Sequence, residues 1–227
     1  MRVLWLVLAW IPACYAPRVQ PGAGDAPPAR CRVEPQIEEH FDDGGLPGWN
    51  AVVQGVGPTF QVDGGDLLLR LGSGDVEQGR QIEMMRNGGL TLVGNRLSVE
   101  APLAPNAGAA DSALFVYQGE NALVLYAGDG VLGAGITTTG EFVELATFPY
   151  SPDAHRYWAL REQDGAVAYE FSSDGVAWSL LASTTPTFSL NGSTLVVGVY
   201  LYMSVAGRDP EEARFDDFVL CVPDMAP

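Results

Sequence analysis

Lysine does not occur in this chain, and histidine occurs only at His40 and His155. Neither histidine has a partner at metal-ligand spacing, so the zinc sites built on such pairs, H-E-x-x-H among them, are excluded. A G-x-S-x-G elbow and a Walker-type phosphate loop are also missing. Basic residues number 12, all arginine, against 28 acidic ones, for a net charge of −16. Nucleic acid is excluded as a partner, because phosphate binding needs a basic surface that releases counterions. An electrostatic patch for anionic lipid is excluded on the same ground. The balance is compatible with calcium, with neutral sugars, or simply with solubility.

Helical periodicity is lacking too. No window of 11 or more residues keeps a 3.6-residue repeat. Short apolar runs alternate instead with turn pairs such as Gly64-Gly65, Asp129-Gly130, Asp164-Gly165, Asp174-Gly175 and Asn191-Gly192. Fourteen strands are expected between Ile37 and Cys221, and strands at this spacing without helices between them indicate a sandwich or barrel. With 47% apolar residues the chain can fill a core, and no composition break divides residues 36–221, which are taken as one domain.

What precedes that domain reads as an address. Arg2 is a minimal charged region, and Val3 to Ile11 is unbroken apolar sequence. Nine residues fall short of the ~20 that span a bilayer as a helix. Residues 1–13 are therefore expected to be a secretory signal. Ile11-Pro12-Ala13-Cys14 resembles the lipobox of bacterial lipoproteins, with Pro12 a departure. That resemblance implies lipidation of Cys14 and a place in the cell envelope, at the periplasm or cell surface. A cut after Ala16 is the alternative, but it would leave Pro17 just past the scissile bond. Residues 14–35, rich in proline, glycine and alanine, read as a tether, and 222–227 as a tail. If Cys14 carries lipid, Cys31 and Cys221 are left as a pair for an oxidising compartment.

The run His155-Arg156-Tyr157-Trp158, the hairpin to Val167-Ala168-Tyr169-Glu170-Phe171 and the stretch Ser172 to Trp178 resemble the concanavalin A-like, laminin-G-like bacterial sandwich. Phe41-Asp42-Asp43 with Trp49, and Phe215 to Leu220, resemble its two ends. The resemblance implies an all-β fold, two antiparallel sheets in jelly-roll order, with first and last strands adjacent. That adjacency would bring Cys31 to Cys221 and would gather Asp42, Asp43, Asp216 and Asp217, the candidate ligands for a structural calcium ion; otherwise no cofactor is expected. Physically, Asp174-Gly175 suits a tight hairpin, and Trp158 and Trp178 suit the core or a hairpin flank.

Some relatives of this fold hydrolyse β-glucans, which needs two carboxyl groups facing one sugar. Glu141 and Glu144 have odd spacing and fall on opposite strand faces; Glu38-Glu39 and Asp216-Asp217 are adjacent and diverge. Binding without catalysis is the leading expectation. Tyr200 and Tyr202 share a strand face, and Tyr117 and Tyr126 are expected to join them as a stacking surface for sugar. The sequence reading is thus an exported, monomeric sandwich that touches membrane only through its lipid. It binds carbohydrate or a surface macromolecule. A structural or adhesive envelope protein and a glycoside hydrolase are the alternatives.

Overall fold

The computed structural model describes residues 31–42, 44–72, 79–105, 110–203 and 211–223. Cys14, the expected signal, most of the tether and Asp43 lie outside the described residues. The strands are β1 (Ile37–Glu39), β2 (Asn50–Gln54), β3 (Thr59–Asp63), β4 (Asp66–Arg70), β5 (Arg80–Arg86) and β6 (Leu90–Thr91). Then come β7 (Arg96–Leu103), β8 (Ala110–Gln118), β9 (Asn121–Gly128), β10 (Val131–Thr138), β11 (Glu141–Pro149) and β12 (Tyr157–Gln163). The last are β13 (Ala166–Ser172), β14 (Ser179–Thr184), β15 (Asn191–Gly192), β16 (Val196–Met203) and β17 (Glu212–Cys221). The protein is an all-β, concanavalin A-like jelly-roll sandwich of two antiparallel sheets. One sheet runs β14-β13-β12-β7-β17-β4-β3 with β1 on β17; the other runs β11-β10-β9-β8-β16-β5-β2.

Alternation explains the layers. On β16, Val197, Val199 and Leu201 point into the space between the sheets and are fully buried, while Gly198, Tyr200 and Tyr202 point the other way. Leu97 and Val99 of β7, Leu114 and Val116 of β8, and Trp158 and Phe215 complete the same core. Trp158 donates its indole N–H to the His155 carbonyl at 2.7 Å, which satisfies a polar atom that burial would otherwise strand. Trp178 is half-buried on a hairpin flank, 4.8 Å from the guanidinium of Arg96.

The chain ends meet. Ile37 pairs with Leu220, Trp49 packs against Phe41 and Phe218, and Cys31 is bonded to Cys221. The strand Thr59–Asp63 was not expected, because its residues are almost all exposed at a sheet edge and give little alternation. Asp174-Gly175 is not a tight hairpin: β13 and β14 are joined by six residues, and only Gly175 has positive φ. Asp174 instead accepts from the amides of Val176 and Ala177, a turn closed by a side chain. The tight reversals in which both residues have positive φ are Gly64-Gly65, Asp129-Gly130, Thr139-Gly140 and Asp164-Gly165.

Candidate saccharide-binding face

The two outer faces of the sandwich differ in kind. On the eight-stranded sheet, outward side chains close on one another as ion pairs: Arg96 and Arg161 with Glu170, Arg156 with Glu100, Arg70 with Glu212, and Arg214 with Asp63 and Asp66. The seven-stranded sheet carries aromatic rings instead. Its register sets Glu83, Tyr200, Ala113, Tyr126 and Gly133 in one row across β5, β16, β8, β9 and β10. The next row holds Gln81, Tyr202, Asp111 and Gly128, and the row on the other side holds Met85, Gly198, Phe115, Val124 and Gly135.

These rows form a second apolar layer outside the core. Ala113 and Phe115 are 0% exposed and Ala122 and Val124 6%, under Tyr117, Tyr126, Tyr200, Met85 and Val196. The Tyr117 ring stacks on Phe115 at 4.1 Å, and that of Tyr200 lies 6.0 Å from Phe115 in a near-parallel plane. Glycines let other rings lie low. A Cβ on Gly133 would sit 2.2 Å from the Tyr126 ring, and one on Gly135 2.3 Å from Phe142. Tyr126 donates its hydroxyl to Glu144 at 2.8 Å, which fixes the ring in that posture.

Carboxylates edge the rings. Burial raises the pKa of Glu83, against the hydrogen bond that Gln81 donates to it. Burial also raises that of Asp111, with Asp129 adding to it. Burial pushes the Tyr117 and Tyr200 hydroxyls up as well, reinforced in each case by Glu83. At neutral pH the phenols are neutral hydrogen-bonding groups on an apolar floor. Such a surface can stack a sugar ring and bind its hydroxyls.

The four tyrosines singled out in the sequence, Tyr117, Tyr126, Tyr200 and Tyr202, thus lie on one face. Phe115, Glu83 and Asp111 join them but were not anticipated. Ile82 and Met84 are core residues, so Glu83 must face outward, but only the pairing of β5 with β16 puts it beside Tyr200. Glu141 and Glu144 do fall on opposite faces, since Glu144 pairs with Gly135 and Glu141 with Thr138.

Of the four aspartates, Asp216 and Asp217 converge with Glu100, their ligand atoms lying within 4.8 Å of one another, while Asp42 is not in that group. The expectation that Asp216 and Asp217 diverge fails because β17 bulges there. Phe215 and Phe218, three residues apart, both enter the core, and Asp217 adopts a φ of 46°. His40 lies 2.6 Å from Asp217. Burial, then Asp217, Glu100 and Asp66, push the Asp216 carboxyl up to about 7. This cluster belongs to the eight-stranded sheet.

No family model matches the chain, and no curated protein matches it. Solved structures do. One comes from the endo-acting O-glycanases that prominent members of the human gut microbiota express to initiate mucin breakdown. It superposes with a TM-score of 0.62 at 12% identity, over 84% of this chain and 100% of that one. A non-specific endo-β-1,3(4)-glucanase of family GH16 gives 0.55 at 12% identity, over 88% and 97%. The CBM2 module of the evolved Dit of Lactobacillus casei BL23 phage J-1 gives 0.60 at 8% identity, over 82% and 94%. At such identities the likeness is one of fold. Among the described residues no helix is long and apolar enough to cross a membrane.

Proposed function

We propose that this chain is a non-catalytic carbohydrate-binding sandwich, exported and held in the cell envelope through Cys14, with the outer face of the seven-stranded sheet as its binding surface. The observation that carries the reading is the tiling of Tyr117, Tyr126 and Tyr200 over Phe115 and the glycines on that face. Partly buried phenols tiled over an apolar layer outside the core suit the stacking of pyranose rings. That the fold is shared by glycanases and by a CBM2 module supports the reading. The Cys31–Cys221 bond accords with export. A glycan array tests it: binding to one saccharide class that Tyr126→Ala and Tyr200→Ala abolish is expected, and an array without hits overturns it. Loss of lipid labelling in Cys14→Ala tests the anchor.

A second reading, glycoside hydrolysis, has one observation in its favour. Glu83 and Asp111 face the same side, and burial keeps each carboxyl closer to the protonated form that a general acid requires. Release of reducing sugar that is lost in both Glu83→Gln and Asp111→Asn would establish it. For calcium, Asp216, Asp217 and Glu100 would be the holders, at a structural site on the opposite sheet. Arg156 and His40, which now engage Glu100 and Asp217, would have to give way.

A further inference from the structure

We infer that the tyrosine face selects saccharides bearing a positively charged amine, of the glucosamine type, over neutral and acidic ones. This rests on the reading of that face as a saccharide platform. The ion pairs described above, and those of His40 with Glu38 and Asp217, belong to the eight-stranded sheet. None reaches Glu83, Asp111 or Glu144. The bonds described for Glu83 and Glu144 come from neutral donors, Gln81 and Tyr126. The two arginines of β5 belong to its other side: Arg80 is buried, and Arg86 donates to the Pro47 carbonyl and lies over Trp49. The open face therefore presents carboxylates and π-faces with no cationic side chain among its described residues.

Register then gives the scale. Glu83 is directly opposite Tyr200 on β5, and Asp111 is diagonal to Tyr200 on β8, the residue opposite being Ala113. Directly opposed Cβ atoms lie about 5 Å apart and diagonal ones about 7–8 Å, so both carboxylates are within reach of the substituents of one ring stacked on Tyr200. The Asp111 carboxylate lies over Gly128, where a Cβ would come within 1.7 Å of its oxygen, and so inclines toward β9 and Tyr126. A sugar lying along the row from Tyr200 to Tyr126 presents an ammonium to Glu83 at the Tyr200 end or to Asp111 toward the Tyr126 end, with a phenol face beneath, where its charge is attracted by the ring quadrupole. A neutral sugar leaves both partly buried carboxylates uncompensated, and a uronate adds repulsion.

The test measures the affinity of the mature protein, in mildly acidic buffer of low ionic strength, for three hexasaccharides: glucosamine, N-acetylglucosamine and galacturonate. Glucosamine is expected to bind about tenfold more tightly than its N-acetylated counterpart, and galacturonate not at all. Glu83→Gln and Asp111→Asn should each cut that preference, lowering glucosamine affinity several-fold more than N-acetylglucosamine affinity. Asp153→Asn, an equal charge change at an exposed site between β11 and β12, should leave the preference intact. Equal affinities for the amine and the N-acetylated sugar would overturn the amine selectivity and leave the platform standing. A loss in Asp153→Asn as large as in the face variants would reduce the effect to attraction by net charge and overturn it too. Failure of all three sugars, together with an empty glycan array, would remove the platform itself.

Discussion

The ring of Tyr117 lies on that of Phe115, centroids 4.1 Å apart and planes inclined by 19°. Phe115 is fully buried although it points away from the core, so the tyrosine both covers it and offers its own upper face to a ligand. Tyr117→Ala is expected to lower the free energy of unfolding by about 1–3 kcal/mol and to weaken saccharide binding about tenfold. Tyr117→Phe keeps the stack and should be near neutral for stability. Urea denaturation and titration calorimetry on the two variants separate the cover from the platform.

Two glycines of the same sheet should fail in different ways. The atoms nearest a Cβ on Gly133 all belong to the Tyr126 side chain, whereas one on Gly198 would lie 2.1 Å from the Met84 carbonyl oxygen as well as near Phe115. A ring can lift; backbone hydrogen-bonded in a central pair of strands cannot. Gly133→Ala is expected to break the Tyr126–Glu144 bond and to cost affinity with a small change in melting temperature. Gly198→Ala is expected to destabilise the fold by about 2 kcal/mol or more. Comparable melting temperatures for the two variants would refute the distinction.

Asp216 makes stability depend on pH. Its carboxyl is raised from 3.8 to about 7, so between these values the folded chain binds a proton that the unfolded chain has released. Stability therefore falls as pH rises from about 4 to 7 and levels off above. His40, raised by Asp217 and Glu38 against its burial, works in the same direction from its ordinary value upward. Asp216→Asn is expected to flatten the fall and to leave the protein more stable than the parent at alkaline pH, measured by denaturation across that range. If calcium binds at Asp216, Asp217 and Glu100, it should raise the parent's melting temperature at alkaline pH and have less effect in the variant.

The alternation of core and surface residues was legible in the sequence: Asn50–Gln54, Arg80–Arg86 and Ala166–Ser172 are strands as expected. Local alternation decides which way Tyr200 and Tyr202 point. It does not decide which strand lies next to β16, so Glu83 and Asp111 could not be placed beside them before the pairing was known. The bulge at Asp216-Asp217 was hidden for another reason. It comes from fitting Phe215 and Phe218 into one core, a packing demand that neighbouring residues do not announce.

The Cys31–Cys221 bond closes a sequence separation of 190 residues, nearly the whole sandwich. In the unfolded chain such a closure removes much of the freedom that folding would otherwise have to remove, worth about 5 kcal/mol on the chain-entropy account. On the Cys31 side the folded chain adds short-range support: β1 is three residues long, the amides of Gln36 and Arg32 donate to the Leu220 and Val222 carbonyls, and Cys31 bridges to Pro223. Replacing both cysteines by serine is therefore expected to lower unfolding stability by several kcal/mol while the tyrosine face, on the other sheet, keeps its affinity. Urea denaturation should show the midpoint falling, and calorimetry with the saccharide should give an unchanged affinity below that midpoint. A loss of affinity in the still-folded variant would mean that the chain ends are coupled to the binding face.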